Sequence, residues 1–267
     1  MAVALKGSHG RSLAACLLAL ASLIAAAARA DEPVRFCIAV EPYPPFTVKD
    51  AAGLWQGLEP DLRDAICKQM QMTCEWTEVN FDGLIPALLG KKCDVIWSSL
   101  TITAERRKSV IFSDRYYGPP TTIVARADLK ATPTPAGLAG KTIGATAYTT
   151  AEAYALKYFK GTARDVKTFA NQDDLNLELA EGRLDAGIAD IITQQAFMDT
   201  DAGKFCCRLL GNVAPDGAVL GEGVGAGARK EDTGLRDKIN VAINAVRASG
   251  EFDAITRRYF AFDIYGD

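Results

Sequence analysis

Ser98-Ser99-Leu100-Thr101-Ile102-Thr103-Ala104-Glu105-Arg106 directly follows Val95-Ile96-Trp97, an apolar segment with the composition of a buried strand. Hydroxyl groups at the carboxyl end of a strand, followed by an arginine, supply hydrogen-bond donors and a planar cation. Together these bind a small carboxylate well. Hydroxyl residues are also common where a loop begins, and such an arginine can form a surface ion pair. The stretch alone therefore leaves a carboxylate-binding loop and a capped surface loop as equal interpretations.

The first thirty residues have the features of a secretory signal peptide. Lys6 and Arg11 give a basic start, residues 13–27 form an apolar run, and Ala28-Arg29-Ala30 fits a small-residue cleavage site. Leu13-Ala14-Ala15-Cys16 resembles a lipoprotein box, but the apolar run follows it instead of preceding it. We therefore expect cleavage after Ala30 and a soluble periplasmic protein. No later segment approaches the ~18 apolar residues of a membrane span.

Charge and histidine content exclude several function classes. Removal of Lys6, Arg11 and Arg29 leaves 27 basic and 33 acidic residues in the mature chain, a net charge of −6. A nucleic-acid partner is not expected, because such proteins carry a clustered basic face. The only histidine, His9, lies in the signal peptide. The mature protein therefore has no histidine-dependent catalytic triad, metal site or pH switch.

Disulfides are the expected state of the cysteines, because the compartment is oxidising. Cys67, in a predicted helix, and Cys74, just beyond it, form the best pair. Cys37 and Cys93 lie at or near predicted strands and could be neighbours. For the adjacent cysteines the sequence leaves pairing and free thiols equally open. The six cysteines of the mature chain are Cys37, Cys67, Cys74, Cys93, Cys206 and Cys207.

Alternation of strand and helix patterns in both halves predicts an α/β fold with ligands at the carboxyl ends of strands. A short helix, a glycine, an aspartate and a strand occur in residues 84–96 and again in residues 175–190, which suggests two lobes on one plan. Gly118-Pro119-Pro120 and the alternating glycines of residues 221–227 predict two crossovers between the lobes. We expect residues 31–119 and 225–267 to form lobe 1 and residues 120–224 to form lobe 2.

Further candidate ligand contacts lie at the ends of other predicted strands. Tyr43 is held between prolines after the first strand, and Phe81 lies where a short helix begins. Thr149, followed by Glu152 three residues later, matches a capping box, and a helix amino terminus at a strand end can also bind an anion. Asp190 ends a strand of the second lobe, where it could cap the next helix or bind an ammonium group.

Several motifs occur together and in order, and they extend over essentially the whole mature chain, from Val34 to Gly266. They are Tyr43-Pro44-Pro45-Phe46, the Cys67/Cys74 pair, Phe81-Asp82-Gly83-Leu84-Ile85-Pro86, the Ser98–Arg106 stretch, Gly182-Arg183-Leu184-Asp185-Ala186, Arg229-Lys230-Glu231-Asp232 and Phe262-Asp263-Ile264-Tyr265-Gly266. In these motifs the chain resembles periplasmic polar amino-acid binding proteins of ABC importers, bacterial solute-binding protein family 3. The lysine/arginine/ornithine, histidine and opine binders are the most similar. The resemblance implies a two-lobed, type II-like periplasmic-binding-protein fold with the ligand in a cleft between the lobes.

The resemblance also implies residue roles. Arg106 would hold a ligand α-carboxylate in a bidentate pair, helped by the backbone at Thr101 and by two threonines. Asp190, with Ser99 and Thr101, would take the α-ammonium group, and two aromatic rings would sandwich the ligand side chain. The expected ligand-binding set is Glu41, Tyr43, Phe81, Ser98, Ser99, Thr101, Arg106, Thr149, Thr150 and Asp190. No catalytic residue, cofactor or metal is expected.

Three positions depart from the pattern of the basic amino-acid binders. Val40 stands where they carry an acidic residue, and Glu41 could replace that residue only if the loop is shifted. Ala151 stands in place of glutamine, and Tyr148 in place of glycine. The residues that recognise the amino-acid backbone are thus retained, whereas those that recognise the side chain are altered.

The expected function is a monomeric receptor that captures a polar, possibly basic, amino acid or opine and delivers it to a membrane ABC permease. Two alternatives stay open. One is a dehydratase-like enzyme on the same scaffold, for which Glu41 and Glu152 are the only acids to nominate. The other is a ligand-sensing domain that docks onto a membrane partner.

Overall fold

Two five-stranded mixed sheets and the helices packed on them make up the computed structural model of the protein. The structure describes residues 1–2, 32–260 and 263–265. The predicted signal peptide and its cleavage site lie almost entirely outside the described residues, as do Phe262 and Gly266 of the carboxyl-terminal motif. From Pro33 onward the chain forms one compact unit.

The first sheet has the strand order β4-β1-β5-β12-β6. Its first three strands are parallel, and β12 runs antiparallel to both of its neighbours. The carboxyl ends of β1, β4 and β5 therefore lie at one edge, as the strand-end pattern predicted. The strands are Val34–Ala39 (β1), Cys74–Val79 (β4), Val95–Ile96 (β5), Ile111–Phe112 (β6) and Gly227–Ala228 (β12).

The second sheet has the order β11-β7-β10-β8-β9. Its strands β8, β9 and β10 are parallel, whereas β7 is antiparallel to β10 and β11. A small hairpin, Val48–Lys49 (β2) with Trp55–Gln56 (β3), stands apart from both sheets. The strands of the second sheet are Thr121–Arg126 (β7), Thr142–Thr146 (β8), Asp165–Phe169 (β9), Ala186–Asp190 (β10) and Cys207–Asn212 (β11).

Amphipathic helices cover the sheets. The first helix ends at Met70 because Gln71 adopts a left-handed conformation, with φ of 55°, and its N–H bonds back to helix carbonyls. The helices are Leu58–Met70 (α1), Leu84–Leu89 (α2), Ala104–Arg107 (α3), Thr150–Tyr158 (α4), Gln172–Ala180 (α5), Ile191–Met198 (α6), Asp201–Cys206 (α7), Gly217–Leu220 (α8), Thr233–Ala248 (α9) and Glu251–Thr256 (α10). A 3₁₀ turn, Phe81–Gly83, precedes α2.

The chain passes between the two sheets twice, and the two crossovers pair with each other. The first connects β6 to β7, and the second connects β11 to β12. Val224 of the second crossover exchanges backbone hydrogen bonds with Tyr116 and Tyr117 of the first, at 2.9 and 2.8 Å. The predicted α/β fold with two crossovers is confirmed.

Each sheet has a hydrophobic core on both faces. On one side of the first sheet, Phe36 and Trp97 pack with α1, α9 and α10. On the other side, Leu88 of α2 belongs to a cluster with Ile96 of β5. In the second sheet, Phe159 packs on one face and Leu175 on the other. The crossover segments take part in this packing, because Tyr116, Tyr117 and Val224 are buried in the core of the first sheet.

Three disulfides are present among the described residues. Cys37 is bonded to Cys93, across a sequence separation of 56 residues, and Cys67 to Cys74, across 7 residues. The sequence left the state of the adjacent pair Cys206 and Cys207 open, and in the structure they are bonded to each other.

Replacement of both Cys67 and Cys74 by alanine should lower the free energy of unfolding by about 2 kcal/mol, because the disulfide restricts a short loop of the unfolded chain. Urea denaturation without reductant, followed by tryptophan fluorescence, measures this loss. The double alanine variant of Cys206 and Cys207 is the matched control, since a bond between adjacent residues closes no chain loop. An equal loss in both variants would contradict the loop-entropy explanation.

Candidate functional site

A cavity of about 250 Å³ lies between segments that belong to the two sheets. The first sheet contributes the loop after β1, with Tyr43, and the loop after β5, with Ser99. The second contributes the loop after β8, with Thr149, and the end of β10, with Asp190. The volume lies just below the ~300–1,000 Å³ of pockets for drug-sized ligands. It therefore suits one small solute better than a peptide.

Arg106 enters this cavity from the short helix α3. Thr103 caps that helix, because its Oγ1 accepts a hydrogen bond from the Arg106 backbone N–H at 3.1 Å. The guanidinium donates from Nη1 to the Thr101 carbonyl at 2.9 Å and from Nη2 to the Tyr148 carbonyl at 3.1 Å. It also lies 6.0 Å from the centre of the Phe81 ring. The side chain is thereby held by segments of both sheets.

The charge of Arg106 is partly withdrawn from water without a compensating anion. Burial lowers the pKa of its guanidinium to about 10, so the group stays protonated at neutral pH. No carboxylate forms a salt bridge with it within residues 32–260 and 263–265. Two carbonyls use only two of its five N–H donors. The remaining donors are suited to a carboxylate in the cavity.

Tyr148 fixes the loop that Arg106 contacts. Its φ of 62° is in the left-handed region, which is unfavourable for a non-glycine residue. Its N–H donates to the Glu152 carboxylate at 2.6 Å, and its carbonyl accepts from Arg106. Glu152 is one of the two acids nominated for an enzyme. Its carboxylate holds this loop from the first turn of α4, and it does not line the cavity.

Asp190 caps a helix, which is one of the two roles that the sequence left open. Its Oδ1 accepts from the Thr193 N–H at 2.9 Å, so it caps α6, and its Oδ2 accepts from the Thr193 hydroxyl at 2.7 Å. Oδ2 also accepts from the Tyr43 hydroxyl across the cavity. All three donors are neutral. The carboxylate therefore has no cationic partner in the part of the chain that the structure describes.

Tyr43 lies at one end of a stack of aromatic rings. It stacks on Phe46 at 5.2 Å, and Phe46 stacks on Tyr117 at the same distance. Burial, together with the charge of Asp190, raises the pKa of the Tyr43 hydroxyl well above 10.0, so it remains a donor. The stack holds the ring on the cavity wall, and the hydroxyl links the two halves of the site. Phe81 lines the same cavity.

The hydroxyl residues of the predicted ligand-binding set differ in whether their hydrogen-bonding groups remain available to a ligand. Thr149 caps α4 and also donates to the Thr146 carbonyl at 2.6 Å, so its hydroxyl proton is not available to a ligand carboxylate. The Ser98 hydroxyl accepts from the Ala39 N–H at 3.0 Å, which ties β1 to the loop after β5. Thr101 and Thr150 line the cavity, where the Thr101 carbonyl orients Arg106.

Glu41 lines the cavity as well, although Val40 occupies the position at which the resemblance expects an acid. Its Oε2 accepts from the Phe81 N–H at 3.1 Å, which places the carboxylate beside the aromatic ring. Asp82 lies on the same wall and is exposed. With Asp190, three carboxylates and a single guanidinium, that of Arg106, line the cavity.

Glu59 lies against residues that line the cavity, and the sequence did not predict it as part of the site. It is completely buried in the first turn of α1, behind Ser99, and its carboxylate accepts hydrogen bonds from Ser99, Tyr116 and Tyr117. A signal was available, because Glu59 precedes Leu62 by three residues and Ile66 by seven, which places it on the buried face of α1. An acid at such a position requires a polar partner inside the core.

Within the described part of the chain, no group of three or more histidine, cysteine or acidic side chains is arranged to hold a metal ion. No described helix combines the length and the apolar character needed to cross a membrane.

Residues 36–262 match the model of the bacterial extracellular solute-binding proteins, family 3. The chain belongs to this family. As a family 3 solute-binding protein, it is 40% identical over 250 residues to the L-arginine-binding protein of Pseudomonas aeruginosa, an alignment covering 93% of this chain and 96% of the relative. It is also 38% identical over 226 residues to the lysine/arginine/ornithine-binding periplasmic protein of Escherichia coli strain K12, covering 84% of this chain and 86% of the relative.

Solved structures agree with the fold of this solute-binding protein. An ancestral arginine-binding protein bound to arginine superimposes with a TM-score of 0.78 at 31% identity, covering 87% of this chain and all of the other. An ancestral amino acid-binding protein described as a precursor of cyclohexadienyl dehydratase gives a TM-score of 0.74 at 26% identity, covering 91% and 99%. The curated relatives are binding proteins, and the two-lobed fold is common to the family.

Proposed function

We propose that this protein binds an α-amino acid in the cavity between its two sheets, with Arg106 on the α-carboxylate and Asp190 on the α-ammonium group. The observation that carries this proposal is the pair of charges without opposite partners among the described residues. Arg106 lacks an anion, and Asp190 receives only neutral donors. A zwitterion supplies both missing charges. The cost of burying the two groups is then offset when the ligand binds.

The remaining ligand contacts follow from the same geometry. Thr101 and Thr150 would add polar contacts to the carboxylate, and Ser99 with Thr101 would add them to the ammonium group. Tyr43 and Phe81 supply ring faces for the ligand side chain. Ser98 and Thr149 support the site through the backbone bonds that their hydroxyls make.

The charge of the cavity favours a basic side chain. A zwitterion compensates Arg106 and Asp190, and the carboxylates of Glu41 and Asp82 are then left without a partner in the cavity. A guanidinium or ammonium group on the ligand side chain would pair with Glu41 beside Phe81. The names of the relatives agree with this class, since they include arginine, lysine and ornithine. Arginine, lysine and ornithine are therefore our preferred ligands, with opines next.

Delivery of the ligand to a membrane ABC permease is the proposed biological role. We propose a periplasmic monomer, released after cleavage at Ala30, that closes and opens at the two crossovers. Residues 31–119 and 225–267 would form one lobe and residues 120–224 the other. Two extended segments that pair with each other where the chain passes between the sheets suit a hinge.

Isothermal calorimetry on ligand-free protein, with the common amino acids and opines, tests this function. We expect micromolar or tighter binding of at least one basic amino acid. The absence of binding to any α-amino acid would overturn the proposal. Incubation with cyclohexadienyl acids, followed by product detection, tests the enzyme alternative. Turnover of a cyclohexadienyl acid would overturn our proposal that this chain only binds its ligand.

Glu41→Gln should weaken arginine binding about fivefold, a loss of about 1 kcal/mol, and leave glutamine binding unchanged. The amide keeps an oxygen to accept from the Phe81 N–H and removes only the charge. Calorimetry with both ligands measures the difference. Glu75→Gln makes the same chemical change on an exposed residue of β4, away from the cavity, and is the control. Equal losses for arginine and glutamine would rule out a charge contact to the side chain.

A further inference from the structure

The carboxyl group of Glu59 is buried directly beneath the cavity, at the centre of a cluster of hydroxyls. Its Oε1 accepts from the Ser99 N–H at 2.7 Å and lies 3.0 Å from the Ser99 hydroxyl. The Tyr117 hydroxyl lies 2.6 Å from Oε1, and the Tyr116 hydroxyl lies 3.0 Å from Oε2. Ser99 and Tyr117 also line the cavity. Glu59 therefore touches the residues that would touch the ligand.

The cluster has more oxygen contacts than hydroxyl protons. Ser99, Tyr116 and Tyr117 bring one hydroxyl proton each, which makes three. Four pairs of groups need one: each of the three hydroxyls contacts the carboxylate, and Tyr117 lies 2.7 Å from the Ser99 oxygen. The Tyr116 proton is shared between Oε1 and Oε2, at 3.1 and 3.0 Å. With an ionised Glu59 one contact has no proton between its oxygens. A protonated Glu59 supplies the fourth and satisfies every contact.

We propose that Glu59 is a positioning residue that carries a proton in the empty site and loses it when an ammonium group binds. The inference rests on the proposed amino-acid ligand. With a protonated Glu59, the carboxyl group donates to Tyr117, Tyr117 donates to Ser99, and Ser99 donates back to the carboxyl group, so one Ser99 lone pair is occupied by Tyr117. With an ionised Glu59, Ser99 and Tyr117 both donate to the carboxylate. The Ser99 lone pairs then face the cavity, where an ammonium group requires acceptors.

The surroundings of Glu59 suit a group that exchanges a proton. Burial raises the pKa of its carboxyl group, and the hydrogen bonds from Tyr117, Ser99 and Tyr116 oppose this shift only in part. The amino terminus of α1 also favours the anion. Every donor in the contacts described for Glu59 is neutral. The nearest charged groups that face the cavity are Arg106, Asp190, Glu41 and Asp82.

Proton release on binding is the direct test. Calorimetry of arginine binding in buffers with different ionisation enthalpies should show release of up to one proton per ligand near the acidic end of a range from about pH 5 to about pH 8. In that range the affinity should rise with pH, by at most about tenfold per pH unit. Glu59→Gln should abolish the release, and Glu75→Gln, an exposed control, should keep it. A wild-type protein that binds arginine without proton release would overturn the inference.

Two further measurements keep the outcome independent of how the Glu59→Gln variant folds. Ser99→Ala retains Glu59 but removes the hydroxyl that contacts both the carboxyl group and the ligand, so binding should weaken and the number of protons released per bound ligand should fall. Unchanged release in this variant would overturn the relay. Infrared difference spectra of the ligand-free wild-type protein between acidic and neutral pH should show a carboxylic acid band that Glu59→Gln lacks. Absence of that band overturns the inference even if arginine binds, whereas absence of binding overturns the proposed function itself.

Discussion

Arg106→Ala is expected to weaken binding of the preferred amino acid about a thousandfold, a loss of about 4 kcal/mol. The ligand carboxylate would enter the cavity without its bidentate partner, and removal of one member of a buried charge pair typically costs about 3–5 kcal/mol. The loop that carries Tyr148 would also lose its bond to the guanidinium. The first effect acts only on the bound form, because the free protein places no anion beside Arg106 among the described residues.

Calorimetry measures the affinity of this variant, and two further variants sharpen the result. Arg106→Lys keeps a charge but cannot form two parallel hydrogen bonds, so an intermediate loss of about tenfold is expected. Arg107→Ala is the matched control, because Arg107 lies next in α3 and pairs with Glu222 outside the cavity. A similar affinity for the Arg106→Ala variant and the wild-type protein would exclude Arg106 from the ligand site.

The strand ends could be predicted from the sequence for a simple physical reason. Buried parallel strands are apolar, and the polar residues that end them stand out. The Ser98–Arg106 stretch and Asp190 were found in this way, and they line the same cavity. The fold followed from the alternation of strands and helices and from the glycine and proline residues at the crossovers. Local patterns were sufficient because each lobe is assembled from strand–helix units that are close in sequence.

The partners of these residues could not be predicted, since they depend on contacts between distant parts of the chain. Tyr43 and Asp190 are 147 residues apart, and Glu59 and Ser99 are 40 apart. No local pattern states that a tyrosine hydroxyl reaches a carboxylate of the other sheet. The hydrogen-bond partner of each hydroxyl could not be predicted either. Thr149 uses its hydroxyl proton on the Thr146 carbonyl and accepts from the Glu152 N–H, and the Ser99 hydroxyl contacts Glu59.

The same geometry explains why backbone recognition and side-chain recognition can change separately. Arg106 and Asp190 are held by elements of the fold itself, a capped helix and the end of a central strand. Glu41 and Tyr148 lie on loops whose residues can vary without loss of a sheet or helix hydrogen bond. A family can therefore keep its amino-acid clamp and still alter the ligands that it prefers. Of the three departures, Tyr148 lines the cavity from its loop and Ala151 from the first turn of α4, whereas Val40 does not line it.

Asp190→Asn should weaken binding by about 3 kcal/mol, roughly a hundredfold or somewhat more, without unfolding the second sheet. The amide oxygen can still accept from the Thr193 N–H, so α6 keeps its cap, because asparagine is as good a cap as aspartate. What is lost is the negative charge that faces the ligand ammonium group, together with the oxygen that accepts from the Tyr43 and Thr193 hydroxyls, which would have to rotate and accept from the amide NH2. The variant therefore separates the two roles of Asp190.

Two measurements distinguish the two roles of Asp190, which are capping of α6 and binding of the ligand ammonium group. Calorimetry gives the affinity, and urea denaturation of the ligand-free protein gives the stability, which should change by less than about 1 kcal/mol. Asp199→Asn is the control, since Asp199 lies exposed at the carboxyl end of the same helix. If the Asp190→Asn variant binds normally but is less stable, Asp190 is only a cap and the ammonium group lies elsewhere. If affinity falls and stability is retained, the two ends of the amino acid are held by residues of the two sheets. Closure around the ligand then follows from its two charges, because neither sheet alone can satisfy both.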